Sequence, residues 1–182
     1  MWSGKSSALL AAIDRYRHQG RIVMVCKPQI DHRYACDSVV THGGWKIPAD
    51  PVQDGMELIR CVTDGILPDV VAVDELFMIP GGGVALIELF RSGISVIVSS
   101  LDLSAHGTMF REVEAVLPWA THVEKLTAVC AVCKTDARYT WKKTAGTVEI
   151  EVGGSETYEP RCWTHHSIVS THVEDDPFLD AE

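Results

Sequence analysis

Three groups of residues have the types and spacings that chemistry requires. Cys130-x-x-Cys133 is followed, after 28 residues, by Cys162-x-x-His165. Two pairs of soft ligands at knuckle spacing can close a tetrahedron around Zn²⁺, and a site filled by four protein ligands is structural. His166 competes with His165 for the fourth position. Asp74-Glu75 ends an apolar run. Acids at the C-terminal end of a buried strand sit at the crevice where open α/β sheets bind ligands. One carboxylate there can hold Mg²⁺, and a second can accept a proton from an attacking hydroxyl. Gly4-Lys5-Ser6 matches the back half of the phosphate loop G-x-x-x-x-G-K-[ST]. In that loop backbone N–H groups wrap phosphate, the Lys reaches the terminal phosphates and the hydroxyl binds Mg²⁺. The first Gly of the pattern and the strand before it would fall ahead of Met1. Ser near a helix start is also an ordinary N-cap, so the tripeptide draws its meaning from Asp74-Glu75.

The elements that must position these residues read as alternating helices and strands. Leu9, Leu10, Ile13 and Tyr16 recur at helical spacing and predict a helix over Ser6–Gln19. Arg21–Lys27, Asp69–Leu76 and Ile94–Leu101 predict buried strands, separated by helices over Val52–Thr63 and Val84–Arg91. Strands that are apolar throughout and alternate with helices indicate a parallel sheet covered on both faces. Beyond Glu124 helical patterning stops. Thr127–Val132, Arg138–Lys142 and Thr147–Val152 are short, β-prone and divided by turn residues. The expected organisation is an α/β nucleotide-binding domain over residues 1–126, a zinc-ribbon-like lobe over 127–170, and an acidic, mobile tail over 171–182. A hairpin between the two ligand pairs would bring them together.

With 182 residues, 46% hydrophobic and 23% charged, the chain suits one globular domain with a small appendage, and wholesale disorder is excluded. A net charge of −9 gives no general attraction to nucleic acid. No apolar run reaches the roughly 18 residues of a membrane span. Six cysteines without a secretory signal predict reduced thiols and a cytoplasmic location. Cys26 lies in a predicted strand and reads as a core filler; Cys36 and Cys61 have no ligand partner in the pattern.

Met1-Trp2-Ser3-Gly4-Lys5-Ser6-Ser7, Asp31-His32-Arg33-Tyr34, Asp74-Glu75, Leu101-Asp102 with Phe110, Lys125-Leu126-Thr127-Ala128-Val129-Cys130, and Gly153-Gly154 with Tyr158, Cys162 and His165 follow one another along the chain. In this order they resemble the thymidine kinases of the cellular type II class, over roughly Met1 to Ser167. The resemblance implies an α/β fold with a P-loop NTPase-like parallel sheet and a small β-rich zinc-binding lobe. It implies transfer of the γ-phosphoryl group of ATP to the 5′-hydroxyl of thymidine or deoxyuridine, for nucleotide salvage. Mg²⁺ with ATP, a structural Zn²⁺ and a cytoplasmic homotetramer come with it; nucleic acid and membrane partners do not.

Carried over by position, Ser3, Gly4, Lys5 and Ser6 hold phosphate, Asp31 and Arg33 lie near the triphosphate, Asp74 supports Mg²⁺ and Glu75 is the catalytic base. Phe110 closes the loop that Leu101-Asp102 opens, on the substrate side. Glu149, Ile150, Glu151, Val152 and Gly153 form a lasso loop whose backbone reads the base, and Tyr158 contacts the nucleoside. Cys130, Cys133, Cys162 and His165 hold the zinc.

Departures from the family pattern are Phe77 for Gln, Met78 and Ile79 for two aromatics, Leu103-Ser104-Ala105-His106 for a segment with an aromatic and an Arg, and Met109 for Pro. They keep two alternatives open: a non-catalytic relative, and a phosphotransferase with another acceptor.

Overall fold

A computed structural model describes residues 2–32, 37–41, 43–144 and 150–166. Its described residues fall into two compact units.

The larger unit draws on Gly4–Asp102 and Met109–Glu124. Its elements are α1 (Lys5–His18), β1 (Val23–Pro28), β2 (Ser38–Val40), β3 (Lys46–Pro48), β4 (Asp50–Val52), α2 (Gly55–Thr63), β5 (Val70–Asp74), α3 (Gly82–Arg91), β6 (Ser95–Ser99) and α4 (Arg111–Val116). Four strands form the expected parallel sheet, in the order β4-β1-β5-β6. The three anticipated strands are shorter than their apolar runs, because polar groups settle the ends. Asp69, for example, lies outside β5 and its carboxylate accepts the Ile22 N–H at 2.8 Å.

Side chains alternate across the sheet. Val25 and Ala72 meet Leu9, Leu10 and Ile13 of α1 on one face. Cys26, Val71 and Val73 meet Leu58 and Val62 of α2 and Leu86 and Leu89 of α3 on the other. Burying each such aliphatic side chain contributes about 1.5–3 kcal/mol, so this double layer dominates the unit's stability.

Two differences from the sequence expectation have local causes. The helix expected from Val52 begins at Gly55, because Asp50–Val52 pairs with β1 as an edge strand. Asp54 then starts the helix: its carboxylate accepts the Glu57 N–H (2.8 Å) while the Glu57 carboxylate accepts the Gln53 N–H (2.7 Å), a reciprocal cap. Helix α4, which sequence periodicity did not suggest, supplies a second cap. Glu112 accepts the N–H groups of Gly81 (3.0 Å) and Gly83 (2.8 Å) at the start of α3, where a carboxylate is favoured by the free amides and the helix dipole. The approach is close. A Cβ on Gly83 would stand 2.6 Å from the Glu112 carbonyl oxygen.

The smaller unit draws on the described residues of Met1–Ser3, Leu103–Thr108 and Lys125–Glu182. It contains β7 (Ala128–Val129) paired with β8 (Asp136–Ala137), and β9 (Tyr139–Lys142) paired with β10 (Tyr158–Arg161), both antiparallel. Its core cluster is only Ala128, Cys130 and Ala137 with Cys162 against them. So small a core needs a staple. Of the strand expected at Thr147–Val152, residues 147–149 lie outside the described residues and Ile150–Val152 is not extended into a sheet. The partner of β9 is instead β10, which begins just past the turn at residues 155–157. The acidic tail, 171–182, also lies outside the described residues. No helix among the described residues is long and apolar enough to cross a membrane.

Candidate functional site

Strand alternation decides where the Asp74-Glu75 pair goes. Val73 faces α2 and α3, so the next residue, Asp74, turns to the α1 face. There the Ser6 hydroxyl at the start of α1 donates to Asp74 Oδ2 at 3.4 Å. The Glu75 N–H donates to Asp74 Oδ1 at 3.1 Å. Gly4 caps α1 with φ +83°, a left-handed conformation that glycine adopts without Cβ strain, and Lys5 is the first helical residue. Gly4-Lys5-Ser6 and Asp74-Glu75, 70 residues apart in sequence, thus meet at the C-terminal end of the sheet. Ser3 immediately precedes this turn.

Both acids are buried. Burial pushes the Asp74 carboxyl up to about 6, the negative charge of Glu75 adds to the rise, and the Lys5 ammonium partly offsets it. Glu75 has φ 52° and ψ 46°. A non-glycine residue in the left-handed region is strained by about 1–3 kcal/mol and persists only where the surroundings hold it. Here the Leu76–Met78 3₁₀ turn follows at once, and Leu76, Phe77 and Met78 are buried. The core therefore fixes the Glu75 backbone.

Two residues that the sequence reading passed over line the same row. Ser99 of β6 pairs in register with Asp74. Lys27 lies one step beyond the Cys26–Val73 pair on β1, is only 4% exposed, and its Nζ donates to the Ser38 carbonyl at 3.4 Å. The available signal was a lysine ending an apolar strand, where solvated lysine is ordinary.

Asp31 is buried in the turn after β1, its N–H donating to the Pro28 carbonyl at 3.1 Å; Arg33 lies outside the described residues. The loop opened by Leu101-Asp102 is closed by Phe110, whose N–H donates to the Asp102 carbonyl at 3.0 Å. The Phe110 ring is buried 4.5 Å from that of Phe77. Phe77 therefore makes an apolar contact where the family pattern has Gln.

In the smaller unit the four sulfur and nitrogen donors of Cys130, Cys133, Cys162 and His165 lie within 4.8 Å of one another. Cys133 Sγ and Cys162 Sγ are 3.6 Å apart, Cys162 Sγ and His165 Nδ1 3.1 Å, and Cys130 Sγ and His165 Nδ1 3.9 Å. Tetrahedral bonds of about 2.3 Å to sulfur and 2.0 Å to nitrogen put donors roughly 3.5–3.8 Å apart, so the cage fits zinc. Burial alone would push the Cys130 thiol up, but the backbone N–H groups of Cys133, Cys162 and Val132 outweigh it and bring it to about 6. That favours the thiolate a metal requires. Packing sets the two histidines apart. His166 is fully buried against Tyr139, with Nε2 3.1 Å from the Thr140 carbonyl, and is not among the clustered donors.

The model of the thymidine kinase family matches residues 1–166 of the 182. The chain belongs to the thymidine kinase family. Membership in this family supports a kinase and, in general terms, phosphoryl transfer to thymidine in nucleotide salvage. The Cys₃His cluster could hold a structural metal such as zinc.

The remaining candidate positions named from the sequence fall in the smaller unit. Ile150, Glu151, Val152 and Gly153 form an irregular segment ahead of β10, and Glu149 lies outside the described residues. The Tyr158 hydroxyl donates to the Glu151 carbonyl at 3.1 Å. Cys36 is also outside the described residues, while Cys26 is a buried core thiol that burial pushes upward, as its strand position suggested.

Proposed function

We propose that the chain transfers the γ-phosphoryl group of ATP to the 5′-hydroxyl of thymidine or deoxyuridine, as a type II thymidine kinase. The observation that carries this reading is the meeting of Ser6 with Asp74, beside a Glu75 held in a strained backbone conformation. Lys5 and the α1 amides bind the ATP phosphates, with Ser3, Asp31, Arg33 and Lys27 around the triphosphate. Ser6 and Asp74 are the residues that would hold Mg²⁺ bound with ATP. The ion supplies charge neutralisation on the phosphates. Glu75 accepts the proton of the 5′-hydroxyl as the bond to phosphorus forms, and the proton ends on its carboxylate. Phe110 shapes the substrate side of its loop, the backbone of residues 149–153 reads the base, and Tyr158 contacts the nucleoside. Cys130, Cys133, Cys162 and His165 hold structural Zn²⁺. A cytoplasmic homotetramer completes the reading.

Glu75→Gln keeps size and polarity but removes the basic site. Its kcat with thymidine should fall roughly 10²–10⁴-fold, with metal content and Tm unchanged. Retention of most of the activity would remove Glu75 as the base. Turnover of another hydroxyl acceptor but no pyrimidine deoxynucleoside would favour the altered-acceptor reading that the changed segment Leu103–Met109 suggests. Turnover of nothing would favour a non-catalytic relative.

A further inference from the structure

We propose that Lys142 is a positioning residue for the nucleoside-reading segment, which it holds by clamping Glu151. The proposal rests on the reading of residues 149–153 given above. β9 and β10 pair with Tyr158 directly opposite Lys142. Opposed residues on an antiparallel ribbon project to the same face. From that face both reach one residue. Lys142 Nζ lies 2.6 Å from Glu151 Oε2, and the Tyr158 hydroxyl donates to the Glu151 carbonyl at 3.1 Å. Glu151 is thus held at side chain and main chain by two points whose spacing the hairpin sets.

The asymmetry of burial gives the clamp its direction. The Lys142 side chain is 7% exposed and that of Glu151 45%. The lysine is embedded in the hairpin, and the glutamate is the more exposed partner that reaches it. The hydrogen bond to Glu151 raises the Lys142 pKa, so the ammonium persists. The other limb of the connection is fastened separately: the Lys143 N–H donates to the Thr157 carbonyl (2.8 Å), the Tyr158 N–H to the Gly154 carbonyl (3.0 Å), and Lys143 Nζ to the Ser155 carbonyl (2.6 Å). Ile150–Gly153 has no sheet partner among the described residues, and Glu151 ties it to the hairpin through both its side chain and its carbonyl. Backbone groups that read a ligand bind it best when already in place, since ordering them on binding subtracts from affinity.

The test uses the full-length, zinc-loaded chain and two variants, Lys142→Met and Glu151→Gln. Hydrogen–deuterium exchange without substrate should speed up roughly two- to fivefold over residues 150–153 in both, the scale expected for losing a partly exposed ion pair. Exchange over Ala128–Cys133 and the bound zinc should not change. The thymidine KM should rise by a similar factor in Lys142→Met, while kcat and the ATP KM stay within about twofold, because the residues assigned to phosphoryl transfer are untouched. Unchanged exchange in both variants overturns the clamp. Faster exchange with an unchanged thymidine KM overturns the positioning role. A wild-type chain that phosphorylates no nucleoside overturns the functional reading and the positioning role with it, and the exchange rates still decide whether the clamp exists.

Discussion

Replacing Asp74 with Asn should make the magnesium-free protein more stable at neutral pH. Asp74 is buried beside Glu75, and its carboxyl titrates near 6 instead of its ordinary 3.8. A carboxyl whose folded pKa is raised binds its proton more tightly in the native state than in the unfolded chain. Native stability is therefore favoured at low pH and falls as pH rises from about 4 through about 6. The gap corresponds to about 3 kcal/mol lost by pH 7.5. Asn carries no charge, and its amide can still accept the Glu75 N–H and donate to the Ser6 hydroxyl. For a chain of this size each kcal/mol moves Tm by about 2–4 °C, so Asp74→Asn should melt roughly 6–12 °C above the parent at pH 7.5. At pH 4.5 the native carboxyl of the parent is mostly protonated, and the advantage should shrink to about 1 kcal/mol. Thermal unfolding of both proteins at the two pH values, in buffer free of Mg²⁺ and of chelators that strip zinc, measures this. Equal melting at pH 7.5, or an advantage that does not change with pH, would refute the argument that burial and Glu75 hold Asp74 at a cost. Phosphoryl transfer should be lost in the same variant, which would make the carboxylate a case of stability given up for function.

Metal analysis of protein purified without chelators should find about one Zn²⁺ per chain, and Cys133→Ala should lose the metal and unfold the smaller unit, because structural zinc contributes folding free energy directly. Zinc-free protein with that unit still folded would count against the staple. Gly83→Ala should cost more than 2 kcal/mol, roughly the scale of overpacking, since its Cβ would stand 2.6 Å from a backbone oxygen; denaturant unfolding with little change in midpoint would show that α3 and α4 can part freely. Glu112→Gln should cost about 1 kcal/mol by weakening the charge on the two amides it caps, a loss measurable by the same unfolding curves.

Much of the architecture was legible because it is written in local pattern. Leu9, Leu10 and Ile13 at helical spacing, and apolar runs around Val25, Ala72 and Ile97, depend only on which face of an element meets the core, so α1 and the central strands could be read with ends a few residues out. Knuckle spacing did the same for the Cys/His cluster that could hold a metal, since two residues between donors is a property of one turn. Short elements escaped for the converse reason. The three-residue strand Asp50–Val52 and six-residue α4 carry too few residues for a period, and are held by contacts with β1 and α3 formed only on folding. The site divides along the same line. Sequence alone supplied the residue types Lys5, Ser6, Asp74 and Glu75. Only the parallel register and strand alternation brought Ser6 to Asp74 and set Lys27 and Ser99 beside it, and only the buried 3₁₀ turn after β5 holds Glu75 in a left-handed backbone. His165 and His166 are chemically identical neighbours, and no spacing rule separates them. The fold separates them by burying His166 under Tyr139 and leaving His165 Nδ1 with the three sulfurs. Sequence specifies what each residue can do; which residues share one small volume is set by long-range packing, because the contacts that decide it join positions tens of residues apart.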